Sequence, residues 1–148
     1  MKYPVQIGVG CADITDLEKK YVNEVLDSGR LSYGKFSQAF ESKFAAAHDR
    51  KFAVLSNSGT SSLQVALAAM KEKWKWIDGD EVIVPALTFI ATSNIVLQNN
   101  MKVIFVDIDP ITYNIDPLKI EAAISPKTRA IIPVHLFGLP CDMDAICT

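Results

Sequence analysis

From Phe52 onward the sequence repeats one rhythm: a short apolar run, a polar or glycine-marked turn, then a segment long enough for a helix. The runs are Phe52-Ala-Val-Leu55, Glu81-Val-Ile-Val84, Lys102-Val-Ile-Phe-Val106 and Arg129-Ala-Ile-Ile-Pro-Val134. Short runs of this kind read as buried strands, and strands that alternate with helices make βαβ units. Helices are predicted over Thr60 to Lys73, Phe89 to Asn99 and Pro117 to Ile124, the last with Asp116 as N-cap and Pro117 at the first helical position. A parallel sheet covered by helices is therefore expected, an α/β fold.

The residues before Phe52 follow a helical period instead. Thr15-Asp-Leu-Glu18 has the spacing of a capping box, Leu17, Tyr21 and Val25 follow on one face, and Gly29 stops the helix. After the polar loop Arg30-Leu-Ser-Tyr-Gly34, Phe36, Phe40, Phe44 and Ala47 recur at helical spacing and read as a core stripe. No repeat, low-complexity tract or Gly/Ser/Pro-rich linker interrupts the chain, so residues 1–148 read as one incomplete domain: a helical segment over 1–50 and βα units over 51–148.

Composition narrows the function classes. A content of 49% hydrophobic and 22% charged residues fits a soluble globular domain and not a disordered chain. The formal charge of -2 carries no basic run, so no nucleic-acid partner is expected. No stretch approaches the roughly 18 uninterrupted apolar residues of a membrane span, and the start lacks the apolar core of a signal peptide, so a cytoplasmic location is expected. Cys11, Cys141 and Cys147 form no CxxC and no zinc-like pairing with His48 or His135; reduced thiols and no metal site are expected.

Ligands of open α/β sheets bind beyond the carboxyl ends of the strands, which makes the residues after each run the candidates. Ser56-Asn-Ser-Gly-Thr-Ser-Ser62 places five hydroxyls around Gly59 at a helix start, a terminus suited to phosphate; for any one hydroxyl the plainer reading is a helix cap. Gly59 is expected to permit a tight turn there. Thr88 and Phe89 follow the second run, where an aromatic stacks on a planar cofactor or simply joins the core. Asp107 reads as the start of a turn, and His135 stays open between a satisfied cleft histidine and an acid, base or ligand contact.

The ordered set of motifs resembles the DegT/DnrJ/EryC1/StrS family of pyridoxal-phosphate-dependent sugar aminotransferases over nearly the whole chain. The residues that carry it are Gly34 with Phe40-Glu41 and Phe44-Ala45, Asn57-Ser-Gly-Thr-Ser-Ser-Leu63, Gly79-Asp-Glu-Val-Ile-Val-Pro85, Thr88-Phe-Ile-Ala-Thr92, Val106-Asp-Ile-Asp109, and Val134-His-Leu-Phe-Gly138 with Asp142-Met-Asp144. The resemblance implies the amino-terminal part of a fold-type-I large domain, a mostly parallel sheet with helices on both faces. It also implies pyridoxal 5'-phosphate as cofactor, with Gly59, Thr60 and Ser61 at its phosphate and Phe89 on its ring. A nucleotide-linked keto sugar, glutamate as amino donor and a homodimer are implied in the same way, with Tyr33, Gly34 and Thr88 facing the substrate.

Transamination needs a lysine that holds the cofactor and moves a proton, and an acid at the pyridine nitrogen. In the family both belong to segments downstream of the one matched by His135 to Gly138, so no catalytic residue is assigned within this chain, and Lys35, although in a Ser-x-x-Lys string, is not that lysine. The chain alone is expected to be inactive. The same resemblance separates Phe52–Leu55 from the other three runs by strands that come later, which leaves an unpaired apolar strand. Three readings compete: a non-catalytic short relative that binds phosphate or a protein partner, an unrelated nucleotide-binding domain around Gly8-Val-Gly10, and a hydrolase, for which no Gly-x-Ser-x-Gly elbow exists.

Overall fold

The computed structural model describes residues 12–148; Cys11 and the Gly8-Val-Gly10 string lie outside the described residues. The chain divides into two compact units, one ending at Leu55 and the other spanning Ser56–Thr148.

The first unit holds two helices, α1 (Asp16–Asp27) and α2 (Lys35–Ala47). The capping box at the start of α1 forms: Thr15 Oγ1 accepts from the Leu17 amide, and the Glu18 carboxylate accepts from the Thr15 amide at 2.7 Å. Gly29 follows the helix at φ +66°, a left-handed conformation that glycine adopts without penalty. The phenylalanine stripe of α2 is not a core. Phe40 and Phe44 are about half exposed and stack on each other at 5.6 Å, and Ala45 is the buried residue of that helix. Periodicity puts the rings on one face, but within this unit nothing is large enough to cover them.

Phe52–Leu55 is not the buried strand that its apolar run alone predicts, but it is unpaired, as the resemblance implies. It joins no ladder, Phe52 is 77% and Val54 83% exposed, and the Leu55 amide donates to the Glu41 carboxylate at 2.8 Å. A strand exists only through its partners' hydrogen bonds, and this segment pairs with none among the described residues.

The second unit is the α/β part. Its elements are α3 (Gly59–Trp74), β1 (Glu81–Pro85), α4 (Ala91–Gln98), β2 (Lys102–Val106), α5 (Pro117–Ile120), β3 (Thr128–Ile131) and α6 (Met143–Cys147), with 3-10 turns at Glu121–Ala123 and Leu136–Gly138. The sheet has the order β2-β1-β3 and every pair is parallel, Glu81 standing opposite Lys102 and Thr128. β3 is shorter than the sequence run. Ile132 N still donates to Ile83 O at 2.9 Å, but Val134, the next residue of the run whose N–H faces β1, makes no backbone bond to it, and the ladder ends there.

β1 is buried along its whole length, and its side chains alternate between two cores. Val82 and Val84 pack with Leu67 of α3 and with Ile95, Val96 and Met101, whereas Ile83 packs with Val106, Ile115, Ile120 and Cys141. Helices thus cover both faces, α3 and α4 on one, α5 and α6 on the other. Each fully buried Val or Ile contributes about 1.5–3 kcal/mol. The amino end of β1 is closed by charge: buried Asp80 accepts from Arg129 Nε at 2.9 Å, and Glu81 binds Lys102 and the Ser125 hydroxyl. No helix among the described residues is long and apolar enough to cross a membrane.

Candidate functional site

The parallel sheet sends β1, β2 and β3 to the same end, where Pro85–Phe89, Asp107 and Pro133–His135 emerge. After β1 the chain turns onto the face of α4, and after β3 onto the face that holds Cys141 and α6. Neighbouring strands whose connections leave to opposite faces open a crevice between them.

α3 delivers its amino terminus to that end. Its last turns lie at the opposite, amino end of the sheet, where Lys71 Nζ reaches Asp78 Oδ1 at 2.5 Å and the Asn99 carbonyl at 2.7 Å. The 16-residue helix then spans roughly 24 Å toward the carboxyl end. Ser58 is its N-cap, accepting the Ser61 amide at 3.1 Å and donating to Ser61 Oγ at 3.1 Å. The Ser56 hydroxyl donates to Ser58 O at 2.9 Å and meets Ser62 Oγ. Four of the five hydroxyls are therefore engaged within the segment. The Thr60 hydroxyl and the N–H groups of Gly59 and Thr60 have no hydrogen-bond partner among the described residues.

Gly59 was expected to permit a tight turn. It does not sit at positive φ, and a Cβ built on it meets nothing within 4 Å. The backbone therefore does not demand glycine; what glycine leaves there is open space above two free amides. Together with the helix dipole, that is an arrangement able to receive a tetrahedral oxyanion.

Phe89 lies two residues before α4, accepts the Thr92 amide at its carbonyl (3.0 Å), and is 72% exposed. The ring is not a core residue; it offers a free aromatic face at the carboxyl end of β1. Thr88 is half-buried and its hydroxyl pairs with that of Thr92 at 2.8 Å. Asp107 does more than start a turn: its carboxylate accepts the Ile108 amide and Lys119 Nζ, and these hold it below the usual carboxylate range.

Tyr33 and Gly34 belong to the first unit. The Tyr33 hydroxyl donates to Glu41 Oε2 at 2.5 Å, which raises the phenol and lowers the carboxyl. Gly34 is the N-cap of α2 in an extended conformation and lines a depression of about 460 Å³ with Arg30, Ser32, Lys35, Ser37 and Gln38.

His135 accepts the Cys141 amide at Nδ1 (3.0 Å). The sequence reading missed the residue that frames this loop: Asn114, buried, donates to the carbonyls of Leu139 (2.9 Å) and Pro140 (3.2 Å) and accepts the Leu136 amide (3.0 Å). Its contacts lie more than 20 residues away, and no local pattern announces them.

The profile of the DegT/DnrJ/EryC1/StrS aminotransferase family matches residues 12–148. The chain belongs to this family. Among sequences it is 48% identical to the spore coat polysaccharide biosynthesis protein SpsC of Bacillus subtilis over 87% of the chain, and 44% identical to the GDP-perosamine synthase of Caulobacter vibrioides over 95%. Among solved structures, the E. coli GDP-4-keto-6-deoxy-D-mannose-3-dehydratase with bound hydrated PLP superposes with a TM-score of 0.89 at 34% identity, over 97% of this chain and 38% of that one. Membership and the fold-type-I architecture match the sequence expectation. The chain spans about a third of the length of the curated relatives, 32% and 37% of the two named.

Proposed function

We propose that this chain supplies the phosphate cradle and the ring-stacking face of a pyridoxal-phosphate-dependent enzyme that aminates a nucleotide-linked keto sugar. The observation that carries the reading is the pair of free amides at Gly59 and Thr60, under open space, at the same end of the sheet as exposed Phe89. The residues fit the cofactor: an anion receptor for its phosphate and an aromatic face for its ring. When bound, the cofactor supplies an electron sink for the carbanion that forms as the amino group is transferred.

In this reading the Gly59 and Thr60 amides and the Thr60 hydroxyl hold the phosphate, Ser61 fixes the turn through Ser58, and Phe89 stacks on the ring. Thr88, Tyr33 and Gly34 face the sugar. Glutamate is the proposed donor, and the lysine and the pyridine-nitrogen acid belong to segments downstream of the one matched here. A homodimer in the cytoplasm completes the proposal. Amination is preferred over dehydration because two GDP-perosamine synthases, of Caulobacter vibrioides and Escherichia coli, are each 44% identical over 95% and 99% of this chain.

The test is a titration of the chain with pyridoxal phosphate and, separately, inorganic phosphate, followed by absorbance and by competition. Both are expected to bind, and Thr60→Leu is expected to weaken both by about tenfold or more while the circular dichroism is unchanged, since charge-assisted hydrogen bonds contribute about 1.5–3 kcal/mol. Binding unaffected by Thr60→Leu would remove the cradle. Binding of a dinucleotide but not of pyridoxal phosphate would overturn the cofactor reading of this site.

A further inference from the structure

The loop after β3 is fixed more firmly than folding requires. Phe137 holds φ 55°, ψ 23°, and Gly138 holds φ 84°, two successive left-handed residues. For a bulky side chain that conformation costs about 1–3 kcal/mol, and it persists only where the surroundings over-determine it. Here they do: Asn114 makes three hydrogen bonds to the loop, the Cys141 thiol donates to Val134 O at 3.1 Å, and the Cys141 amide donates to His135. Phe137 gains no burial in return, being 91% exposed.

What the loop gains is a defined histidine. With Nδ1 accepting from the Cys141 amide, the neutral ring carries its proton on Nε2. Nε2 has no partner among the described residues, His135 is exposed, and it stands at the carboxyl end of β3, beside the crevice between β1 and β3. A ring whose tautomer is set from behind and whose N–H is left free is a prepared donor.

We infer that His135 donates a hydrogen bond through Nε2 to an oxygen of the ligand in this crevice, and that Asn114 is the residue that positions it. The inference rests on the proposed ligand site. The acceptor is an oxygen of the pyridine ring substituents or of the nucleotide-linked sugar, and the two sources are separated by the probe. The chain contains only two histidines, so His48, in the first unit, is an internal control.

The experiment is long-range proton–nitrogen spectroscopy of the chain labelled at histidine nitrogen. His135 is expected to show a single Nε2–H tautomer, and its Nε2 is expected to shift on saturation with pyridoxal phosphate if the cofactor supplies the acceptor, or with GDP-mannose if the sugar does, with His48 unmoved. His135→Gln, an exposed substitution, is expected to weaken the shifting probe by about 3- to 10-fold, the range for one net hydrogen bond. Asn114→Ala is expected to average the tautomers and weaken the same probe, with inorganic phosphate binding at α3 unchanged. Averaged tautomers in the unmodified chain, or an unmoved Nε2 with a probe bound, overturn the inference and leave the cradle standing. Failure of phosphate, pyridoxal phosphate and GDP-mannose to bind at all overturns the site reading and this inference with it.

Discussion

The two units place apolar side chains at equally regular spacing and do opposite things with them. In Ser56–Thr148 the alternation along β1 sends Val82 and Val84 to one core and Ile83 to another, and both cores are closed. In the unit that ends at Leu55, Leu17, Tyr21, Phe40 and Phe44 share helical faces and stay exposed, and α1 buries nothing. A sheet is a layer that helices on either side can seal; two helices of 12 and 13 residues offer no such layer. Sequence period therefore says which side chains travel together, and only a second layer says whether they leave water.

The largest effect follows directly. Ile83→Ala is expected to destabilise the second unit by about 2–5 kcal/mol, because its cavity is lined on all sides, whereas Phe40→Ala is expected to stay within about 1 kcal/mol despite removing a larger group. Urea unfolding monitored by hydrogen exchange in each unit measures both. Comparable losses would break the contrast.

Acid should separate the units next. Asp80 is held below its ordinary range chiefly by the Arg129 hydrogen bond and then by the Ile77 amide; Glu81 is held low by the Ser125 hydroxyl and then by Lys102. A carboxyl depressed in the folded state contributes stability above its unfolded pKa, about 4, and loses it as pH falls through the lower folded value. Exchange at the β1 amides is therefore expected to accelerate as pH falls below about 4, after correction for the intrinsic rate. Arg129→Met should flatten that dependence, since Asp80 then loses its main cause of depression. An unchanged profile in Arg129→Met would show that the clasp at the amino end of β1 does not set acid stability.

Much of the second unit was legible because its signals are local. β2 coincides with its apolar run, and Asp116 caps α5 through the Leu118 amide with Pro117 at its first position. Phe52–Leu55 was legible only through the resemblance, which leaves it unpaired; its apolar run alone reads as a buried strand, because a strand's existence is decided by a partner far away in sequence. Asn114 was not, because its three acceptors and donors lie 22 to 26 residues downstream and meet it only in the folded chain. At the candidate site, the sequence marks the turn, but which of its atoms are free is seen only in the folded chain: Ser58 takes the Ser61 amide, leaving Gly59 and Thr60.

A smaller effect tests the caps. Thr15→Ala removes the capping box of α1 and is expected to cost that helix about 1 kcal/mol. Because α1 has no buried residue, the loss should appear as faster exchange in α1 and leave the unfolding midpoint of the second unit unmoved. A shift of that midpoint would mean that α1 is coupled to the cores more strongly than its own burial indicates.

The smallest expected change in stability is the most informative about the site. At the first position of α3, Gly59→Ala adds a methyl group to open space and removes backbone freedom from the unfolded chain, so stability should rise by up to about 1 kcal/mol or stay level. Binding should move the other way. If the space above Gly59 is where a phosphate approaches, the added methyl crowds it, and affinity for pyridoxal phosphate and inorganic phosphate should fall although every free amide is still present. A glycine retained for the backbone would give the reverse pattern, a destabilised helix and unchanged binding. Thermal unfolding and a phosphate titration on the same variant therefore decide whether Gly59 is there for the fold or for the ligand.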